Sequence, residues 1–367
     1  MRRLLVTGGA GFIGSNFVHY WLRRHPRDGV VVLDALTYAG NPSNLATLDG
    51  RENYRFVRGD IRDTALLDQL LVEKEIDTIV HFAAESHVDR SIAGPDAFVE
   101  TNIVGTHSLL KAARRAWLER PGAPAACRFH HISTDEVYGS LAPHEPAFTE
   151  SSPCRPSSPY AASKAASDHL VRSYQRTYGL PTVTSNCSNN FGPYQFPEKL
   201  IPLVLINALE GRPLPIYGDG RQVRDWLYVE DHCRGIETVL ERGRDGETYN
   251  LGGDGGRANI DVVRLLCRLL DNAFAANGTL GQRFPACPAA QGRSTEELVR
   301  FVTDRPGHDR RYAIDIARAQ SELGYAPAEN FDSGLMKTIE WYLQNESWWR
   351  SILNGSYRDW ARQQYGL

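Results

Sequence analysis

Cysteine gives this chain no scaffold. Its six cysteines (Cys127, Cys154, Cys187, Cys233, Cys267 and Cys287) lie far apart, and none forms a Cys-x-x-Cys pair. That spacing argues against a disulfide framework or a zinc site and predicts reduced, mostly buried thiols. The eleven histidines contain no His-Glu-x-x-His pattern, so no metal is expected. Long apolar runs are also missing. The best, Ile201 to Leu209, is about half of what a membrane span needs. The opening Met1 to Val6 runs straight into a glycine-rich turn, which reads as a buried strand rather than a secretory leader. Nor is there a block of like charge: net charge is −3 and the pI is near 6.4, which leaves no electrostatic footprint for nucleic acid. The expected setting is cytoplasmic, with a small-molecule substrate and neither nucleic acid nor membrane as partner.

What remains is ordinary soluble material, 42% hydrophobic and 23% charged, and 367 residues suffice for two domains. The first half alternates short β-branched runs with helical stretches. Strands are predicted at Leu4–Thr7, Val30–Asp34, Tyr54–Arg58, Thr78–Phe82, Arg128–Ser133 and Thr182–Asn186. Helices are predicted at Phe12–His25, Thr64–Lys74, Pro95–Leu118 and Pro159–Gly179. This alternation implies an α/β fold of the Rossmann type, a doubly wound parallel sheet. After about residue 186 the texture changes to longer loops with helices at Ile201–Leu209, Asp231–Arg242, Asp261–Asn272 and Ser333–Gln344. A smaller mixed α/β lobe is expected there, so that residues 1–185 form the first domain. Residues 186–367 then form mainly the lobe, with segments returning to the first domain. The stretch Asn272–Glu297 is rich in Ala, Gly and Pro and reads as a long surface loop. Trp341, Trp348, Trp349 and Trp360 are expected to pack helices against the body.

Strand Leu4–Thr7 leads into Gly8-Gly9-Ala10-Gly11-Phe12-Ile13-Gly14 and then a helix. Such glycines let backbone approach a pyrophosphate at a helix N-terminus. Asp34 ends the second strand, 20 residues after Gly14. A carboxylate there accepts from a ribose diol and repels a 2′-phosphate, and no Arg follows it in Ala35-Leu36. NAD is therefore favoured over NADP, although a turn-capping aspartate would look the same in sequence. Asp60-Ile61, after the third strand, is placed to reach the adenine, or is a generic turn.

Ser158 and Pro159 signal a helix start, with Ser158 as N-cap. Tyr160 and Lys164 then share one helical face. A free phenol has a pKa of about 10, and a nearby ammonium and a positive nicotinamide would lower it. Thr134-Asp135-Glu136 follows strand Arg128–Ser133, at the sheet edge where open α/β sheets bind ligands. A hydroxyl and two acids beside a Tyr/Lys pair suggest a dehydration, which needs one group to remove a proton and another to protonate a leaving hydroxyl. A solvated acidic loop is the plainer alternative.

Together these residues resemble the extended short-chain dehydrogenase/reductase family, and within it the dTDP-glucose 4,6-dehydratases. Supporting runs are Leu36-Thr37-Tyr38-Ala39-Gly40-Asn41, His81 to Ser91, Thr101-Asn102, Asn186 to Tyr194, Pro197 to Pro202, Tyr217 to Gly220, Arg224 to Asp231 and Arg305 to Tyr312. The resemblance covers nearly the whole chain. The Asn272–Glu297 stretch departs from it and leaves the rim of a nucleotide pocket before Arg305 undefined.

The resemblance implies a lyase with NAD as its cofactor. Gly8, Gly11, Phe12, Ile13, Gly14, Asp34, Thr37, Asp60, Ile61, Ala83, Tyr160 and Lys164 would hold the coenzyme. Tyr160 would take the proton of the glucose 4-hydroxyl with Thr134 bonded there, and Lys164 would hold the nicotinamide ribose. Glu136 would then remove the C5 proton while Asp135 protonates the departing C6 hydroxyl. Ser86, His87, Asn189, Asn190, Lys199, Leu200, Arg224, Asn259, Arg305 and His308 would contact the dTDP-sugar. Arginine suits phosphate because its planar fork grips two oxygens. Pro215 and Tyr217 would border the thymine, although Tyr217 could be core filling and a lone arginine a surface ion pair. A homodimer is implied, through the helices near 95–118 and 159–179, as is a product that feeds rhamnose or another deoxysugar. Three other readings stay in view: a 4-epimerase, which needs no acid pair, a GDP-mannose dehydratase, which would want an NADP-adapted arginine after Asp34, and an NAD-responsive regulator without turnover.

Overall fold

The computed structural model describes residues 1–253 and 255–353. Its strands are β1 (Arg3–Thr7), β2 (Gly29–Asp34), β3 (Tyr54–Arg58), β4 (Thr78–His81), β5 (Arg128–Thr134) and β6 (Thr182–Cys187). Shorter ones follow: β7 (Asn189–Phe191), β8 (Leu214–Tyr217), β9 (Val223–Tyr228), β10 (Thr248–Leu251), β11 (Gly256–Ala258) and β12 (Val299–Val302). Seven form one sheet in the order β10-β6-β5-β4-β1-β2-β3, and every pairing in it is parallel. The central strands read as continuous apolar runs because helices cover both faces. Leu4, Leu5, Val6, Ile79 and Val80 are wholly buried.

Chain direction through the sheet reverses between β1 and β4, and ligands of open α/β sheets bind at the carboxyl ends beside such a switch. β10 comes from late in the sequence yet completes the sheet edge beyond β6. Helix Val229–Arg242 also packs against the first domain, its Cys233, Ile236 and Val239 sharing a core with Phe17 and Trp21.

The remaining strands build the smaller lobe. β9 lies between β7, parallel, and β11, antiparallel, while β8 and β12 pair in parallel. Helix Leu200–Leu209 is apolar except for Asn207 and buried from Ile201 onward, so it is the spine of the lobe core rather than an amphipathic cover.

Two expectations need correction. Asn272–Glu297 is not a surface loop: helix Asn259–Ala276 runs on through its start, and helix Thr279–Arg283 and 3₁₀ turns Pro288–Gln291 and Thr295–Leu298 follow. Leu280, Phe284 and Cys287 bury themselves in the lobe core at spacings of four and three, a helical pattern that the surrounding Ala, Gly and Pro conceal. Asp271 ties the far end down, accepting from the hydroxyls of Ser294 and Thr295 at 2.9 Å each. The predicted helix Pro95–Leu118 is also not uniform. It contains π-helical stretches at Val99–Gly105 and Arg115–Glu119 around an α-helix at Thr106–Arg114. The first of these turns Asn102 inward, where it bonds Glu85 N (2.9 Å), Glu85 O (3.0 Å) and Ser163 Oγ (2.8 Å). π-Bulges often carry such local tasks.

The tryptophans pack as helix anchors. Trp349 is buried with its indole N–H on Tyr342 O at 3.0 Å, Trp348 donates to Asn44 Oδ1 at 2.7 Å, and Trp341 meets the Tyr194 ring. Trp360 lies outside the described residues. All six cysteines are free, four of them buried.

Candidate active site

One continuous cleft of about 450 Å³ opens at the carboxyl ends of β1, β2, β4, β5 and β6 and runs into the smaller lobe. At its first end β1 passes into the glycine turn. Gly8 has φ +70°, and a Cβ there would lie 2.6 Å from Ala83 N. A Cβ on Gly14 would lie 2.3 Å from Gly8 O, so helix Phe12–Arg24 packs directly on the loop. No side chain caps that helix at Gly11. Its first N–H groups therefore face the cleft, a ready anion cradle. Phe12, Ile13, Thr37 and Ala83 line the same end.

Asp34 caps its turn and also faces the cleft. One carboxylate oxygen accepts from Ala10 N at 2.9 Å and the other from Leu36 N at 2.8 Å, while the group faces the cleft. Each oxygen keeps a lone pair for a ligand hydroxyl. Leu36 pays with φ +55°, the left-handed conformation that places its N–H on Asp34. Asp60 and Ile61 line the cleft beside this turn, but the Asp60 carboxylate is gripped by Arg62 at 2.7 Å.

The catalytic candidates meet at the middle of the cleft. β5 delivers Thr134, whose hydroxyl oxygen accepts from Glu136 N at 3.3 Å and so caps the 3₁₀ turn Asp135–Tyr138. Helix Pro159–Tyr178 supplies Tyr160 and Lys164, its N-cap Ser158 accepting from Ala161 N at 3.1 Å. The Lys164 ammonium donates to Ile132 O at 2.8 Å, which fixes it on the sheet edge. Burial lowers its pKa, and the Asp168 carboxylate one helical turn on opposes that effect.

Asp135 is 1% exposed, and burial followed by the Glu136 and Asp225 charges pushes its carboxyl well above the usual range. Glu136 is also raised by burial, but Arg305, Lys199 and Arg224 pull it back. Burial thus raises both carboxyls, and two adjacent acids that hold a proton more tightly than free carboxyls can serve acid–base chemistry. The chain's own groups push the Tyr160 phenol up, by burial first and then by the Glu136 charge, so the expected lowering depends on the positive nicotinamide as well as the ammonium. Lys164 spends its hydrogen bond on Ile132 O, so the helical spacing of the pair does not by itself lower the phenol.

The second end of the cleft is lined by Ser86, His87, Asn189, Asn190, Lys199, Leu200, Pro215, Tyr217, Arg224, Asn259, Arg305 and His308. Arg224 stands over the Tyr312 ring at 4.2 Å and donates to Asp309 O at 2.9 Å. Lys199 donates to Ser86 O at 3.2 Å, and Asn190 Oδ1 meets His232 Nδ1 at 2.9 Å. His308 packs edge-on to Tyr217 with a pKa lowered to about 4 by burial. The segment after Asn259 packs away from the cleft, whose lining resumes at Arg305, so the rim is intact. All residues predicted for coenzyme, chemistry and substrate line this one cleft.

Sequence reasoning missed several contributors. Asp89 bonds Arg305 at 3.0 Å and the Tyr217 hydroxyl at 3.2 Å, and Glu198 pairs with Arg90 at 3.1 Å. Asp168 accepts from Ser133 Oγ at 2.9 Å and has a pKa raised to about 6, mainly by burial. His131 Nε2 stands 3.1 Å from Asp168 without the alignment of a hydrogen bond. The Lys164-x-x-x-Asp168 spacing carried a readable signal; the role of Asp89 did not.

Sheet, glycine turn and Tyr/Lys/Thr set define an extended short-chain dehydrogenase/reductase. The sequence model of the family described as GDP-mannose 4,6 dehydratase matches residues 5–338. The dTDP-glucose 4,6-dehydratase of Neisseria meningitidis is 55% identical over 359 residues, 98% of each chain. The chain belongs to this family of 4,6-dehydratases. Among solved structures, a dTDP-glucose 4,6-dehydratase from Streptomyces venezuelae with NAD and TYD bound aligns with a TM-score of 0.82 at 49% identity, covering 95% of this chain and 99% of that one. One from Bacillus anthracis in complex with NAD gives 0.82 at 43% identity, covering 96% and 100%.

Proposed function

We propose that this enzyme converts dTDP-glucose to dTDP-4-keto-6-deoxyglucose with NAD as its coenzyme. The observation that carries this reading is the meeting of Asp135 and Glu136 with Tyr160 and Thr134 in one cleft. A 4-epimerase has no use for such an acid pair. The coenzyme end fits NAD: the Gly8–Gly14 cradle admits a pyrophosphate, and Asp34 retains acceptor capacity for a ribose diol. The GDP-mannose dehydratase reading loses ground because the turn after Asp34 presents Ala35 and Leu36.

Bound NAD supplies a reversible hydride acceptor, so oxidation at C4 and reduction at C6 leave it as it began. The chain's own groups do the proton work. Tyr160 takes the 4-hydroxyl proton with Thr134 bonded beside it, and Lys164 orients the nicotinamide ribose. The C4 ketone acidifies C5, Glu136 removes that proton, and Asp135 protonates the departing C6 hydroxyl. Lys199, Arg224 and Arg305 meet the diphosphate, with Asn190, Asn259 and His308 around it and the sugar, while Tyr217 and Pro215 border the base.

Residues 1–185 serve as the coenzyme domain, and residues after 186 mainly hold the sugar nucleotide. A homodimer through the helices near 95–118 and 159–179 is supported by exposed apolar side chains there, Val99, Val104, Leu118 and Tyr178. A cytoplasmic enzyme supplying deoxysugars such as rhamnose fits the free cysteines and the lack, among the described residues, of a helix long and apolar enough to cross a membrane. The test is product analysis with dTDP-, UDP- and GDP-glucose and no added coenzyme. A 4-keto-6-deoxy product from dTDP-glucose is expected; a 4-epimer, or no product, would overturn the reading.

A further inference from the structure

Resting on that reaction, oxidation at C4 and reduction at C6 use the same coenzyme molecule, so NAD must not leave between the two steps. The turn after β2 borders the coenzyme end of the cleft, where Thr37, Tyr38, Ala39 and Gly40 form a strap beside Asp34. Both ends of the strap are tied to the cradle. Leu36 N donates to Asp34 Oδ1 at 2.8 Å, and Asn41 N donates to Ala10 O at 3.0 Å. The middle is held less well by backbone. Gly40 N reaches Thr37 O at 3.3 Å, beyond the usual hydrogen-bond length.

We propose that Arg90 clamps this strap over bound NAD by way of Tyr38, and so acts as a positioning residue that retains the coenzyme through the catalytic cycle. The Arg90 guanidinium carbon lies 3.9 Å from the centre of the Tyr38 ring, well within the reach of a cation–π contact. Arg90 Nε donates to Glu198 Oε2 at 3.1 Å, and that carboxylate is buried. The Phe196 ring meets Tyr38 edge-on at 5.9 Å. Arg90 stands on helix Val88–Ala93, between β4 and β5 in the chain, whereas Phe196 and Glu198 lead into the lobe helix Leu200–Leu209. The strap is therefore gripped by parts of both the large sheet and the smaller lobe.

Burial makes the grip effective, because a shielded ion pair is weakened far less by salt than an exposed one. Glu198 fixes the guanidinium, and the flat guanidinium face fixes the ring. Tyr38 and Glu198 line the cleft, but Arg90 does not. Any effect of Arg90 on the coenzyme must therefore pass through a neighbour.

The test follows the coenzyme itself, without substrate. Enzyme loaded with radiolabelled NAD is chased with excess unlabelled NAD, and retained label is read after rapid gel filtration. Arg90→Met should release label at least about fivefold faster than wild type, a loss in keeping with a desolvated cation–π contact. Tyr38→Ala should also release it faster, whereas Tyr38→Phe keeps the ring and should retain it as wild type does. Because Arg90 acts through Tyr38, the double variant should be no faster than the faster single one. Wild-type release from a folded Arg90→Met enzyme would overturn the clamp. So would a double variant in which the two single effects multiply, since the residues would then act separately. Should Arg90→Met lack native circular dichroism, Arg90→Met with Glu198→Gln leaves no buried charge unpaired and is read by the same outcomes, with Glu198→Gln as its control. Failure of the wild-type enzyme to form the 4-keto-6-deoxy product would instead count against the parent reaction alone.

Discussion

Asp89 holds Arg305 by an ion pair of 3.0 Å, and both residues line the cleft. The other Asp89 oxygen accepts from the Tyr217 hydroxyl at 3.2 Å. One carboxylate thus sets both the cation assigned to the diphosphate and the ring assigned to the base. Arg305→Ala should weaken dTDP binding by about 10–100-fold, since a hydrogen bond to a charged group is worth about 1.5–3 kcal/mol. Calorimetric titration with dTDP measures this directly, and KM should rise more than kcat falls. An unchanged affinity would remove Arg305 from the diphosphate contacts.

The coenzyme end makes a separate claim. Gly14→Ala places a Cβ 2.3 Å from the backbone oxygen of Gly8, which no side-chain rotation relieves. The purified variant should contain little NAD, measured by acid release. Asp34→Ala should lose the preference for NAD over NADP, and its melting temperature should also fall because the Ala10 and Leu36 N–H groups lose their acceptor. Full NAD content with unchanged preference would reduce Asp34 to a turn cap.

Oxidation and elimination should separate by mutation. Tyr160→Phe should abolish the transient NADH-like absorbance on substrate addition. Glu136→Gln and Asp135→Asn should keep that transient while loss of water slows about 10²–10⁴-fold, the usual worth of a general acid or base. The profile of kcat should fall in acid as the Asp135/Glu136 pair takes up a second proton and fall in alkali as it loses its last one, both carboxyls being raised. An Asp135→Asn enzyme of wild-type rate would withdraw the general-acid assignment.

Buried histidines set the acid stability. His81, His130 and His131 are held well below their usual pKa by burial, and His232 is lowered to about 3. A group with a depressed folded pKa favours folding above its unfolded value, about 6.5 for histidine, and loses that contribution as pH falls toward the folded value. Each should cost on the order of 1.4 kcal/mol per pH unit below that point. Asp168, raised to about 6, acts in the opposite sense: its contribution is full below the unfolded value of about 3.9 and fades as pH rises to about 6. Denaturant midpoints taken from pH 7 to 5 should fall steeply, and His232→Gln should flatten the slope by about one proton's worth. Equal slopes in both proteins would show that His232 is not protonated on unfolding.

What the sequence made legible was what local pattern encodes. The five inner strands are legible to within one residue at each end because buried parallel strands are continuous apolar runs bounded by turns, and the half-exposed edge strand Tyr54–Arg58 is matched residue for residue. Cleft residues were found through motifs at fixed spacing. The apolar face of Leu280, Phe284 and Cys287 escaped because composition was weighed above periodicity. The upward push on the Tyr160 phenol is illegible for a different reason: it comes from burial and from Glu136, which meets it only through the fold. Asp89 and Arg305 are 216 residues apart, a distance no motif bridges.

The final prediction concerns where the hydrogen goes. Thr134, Asp135 and Glu136 lie beside Tyr160 in a single cleft, so oxidation at C4 and elimination across C5 and C6 share one closed space. Holding the intermediate in place makes the last step effectively unimolecular. dTDP-glucose deuterated at C4 should therefore yield product deuterated at C6 of the same molecule, while the C5 hydrogen comes from solvent by way of Glu136. Mixing it with carbon-labelled substrate bearing hydrogen at C4 tests the intramolecular claim by mass spectrometry. No product should carry both labels, because release and rebinding of either the intermediate or the reduced coenzyme would be needed to combine them. A 4-epimerase would leave deuterium at C4, and a simple dehydrogenase would lose it to the medium with NADH. Deuterium found anywhere but C6 would overturn the assignment, since no other product position is reached by reduction of the C5–C6 alkene.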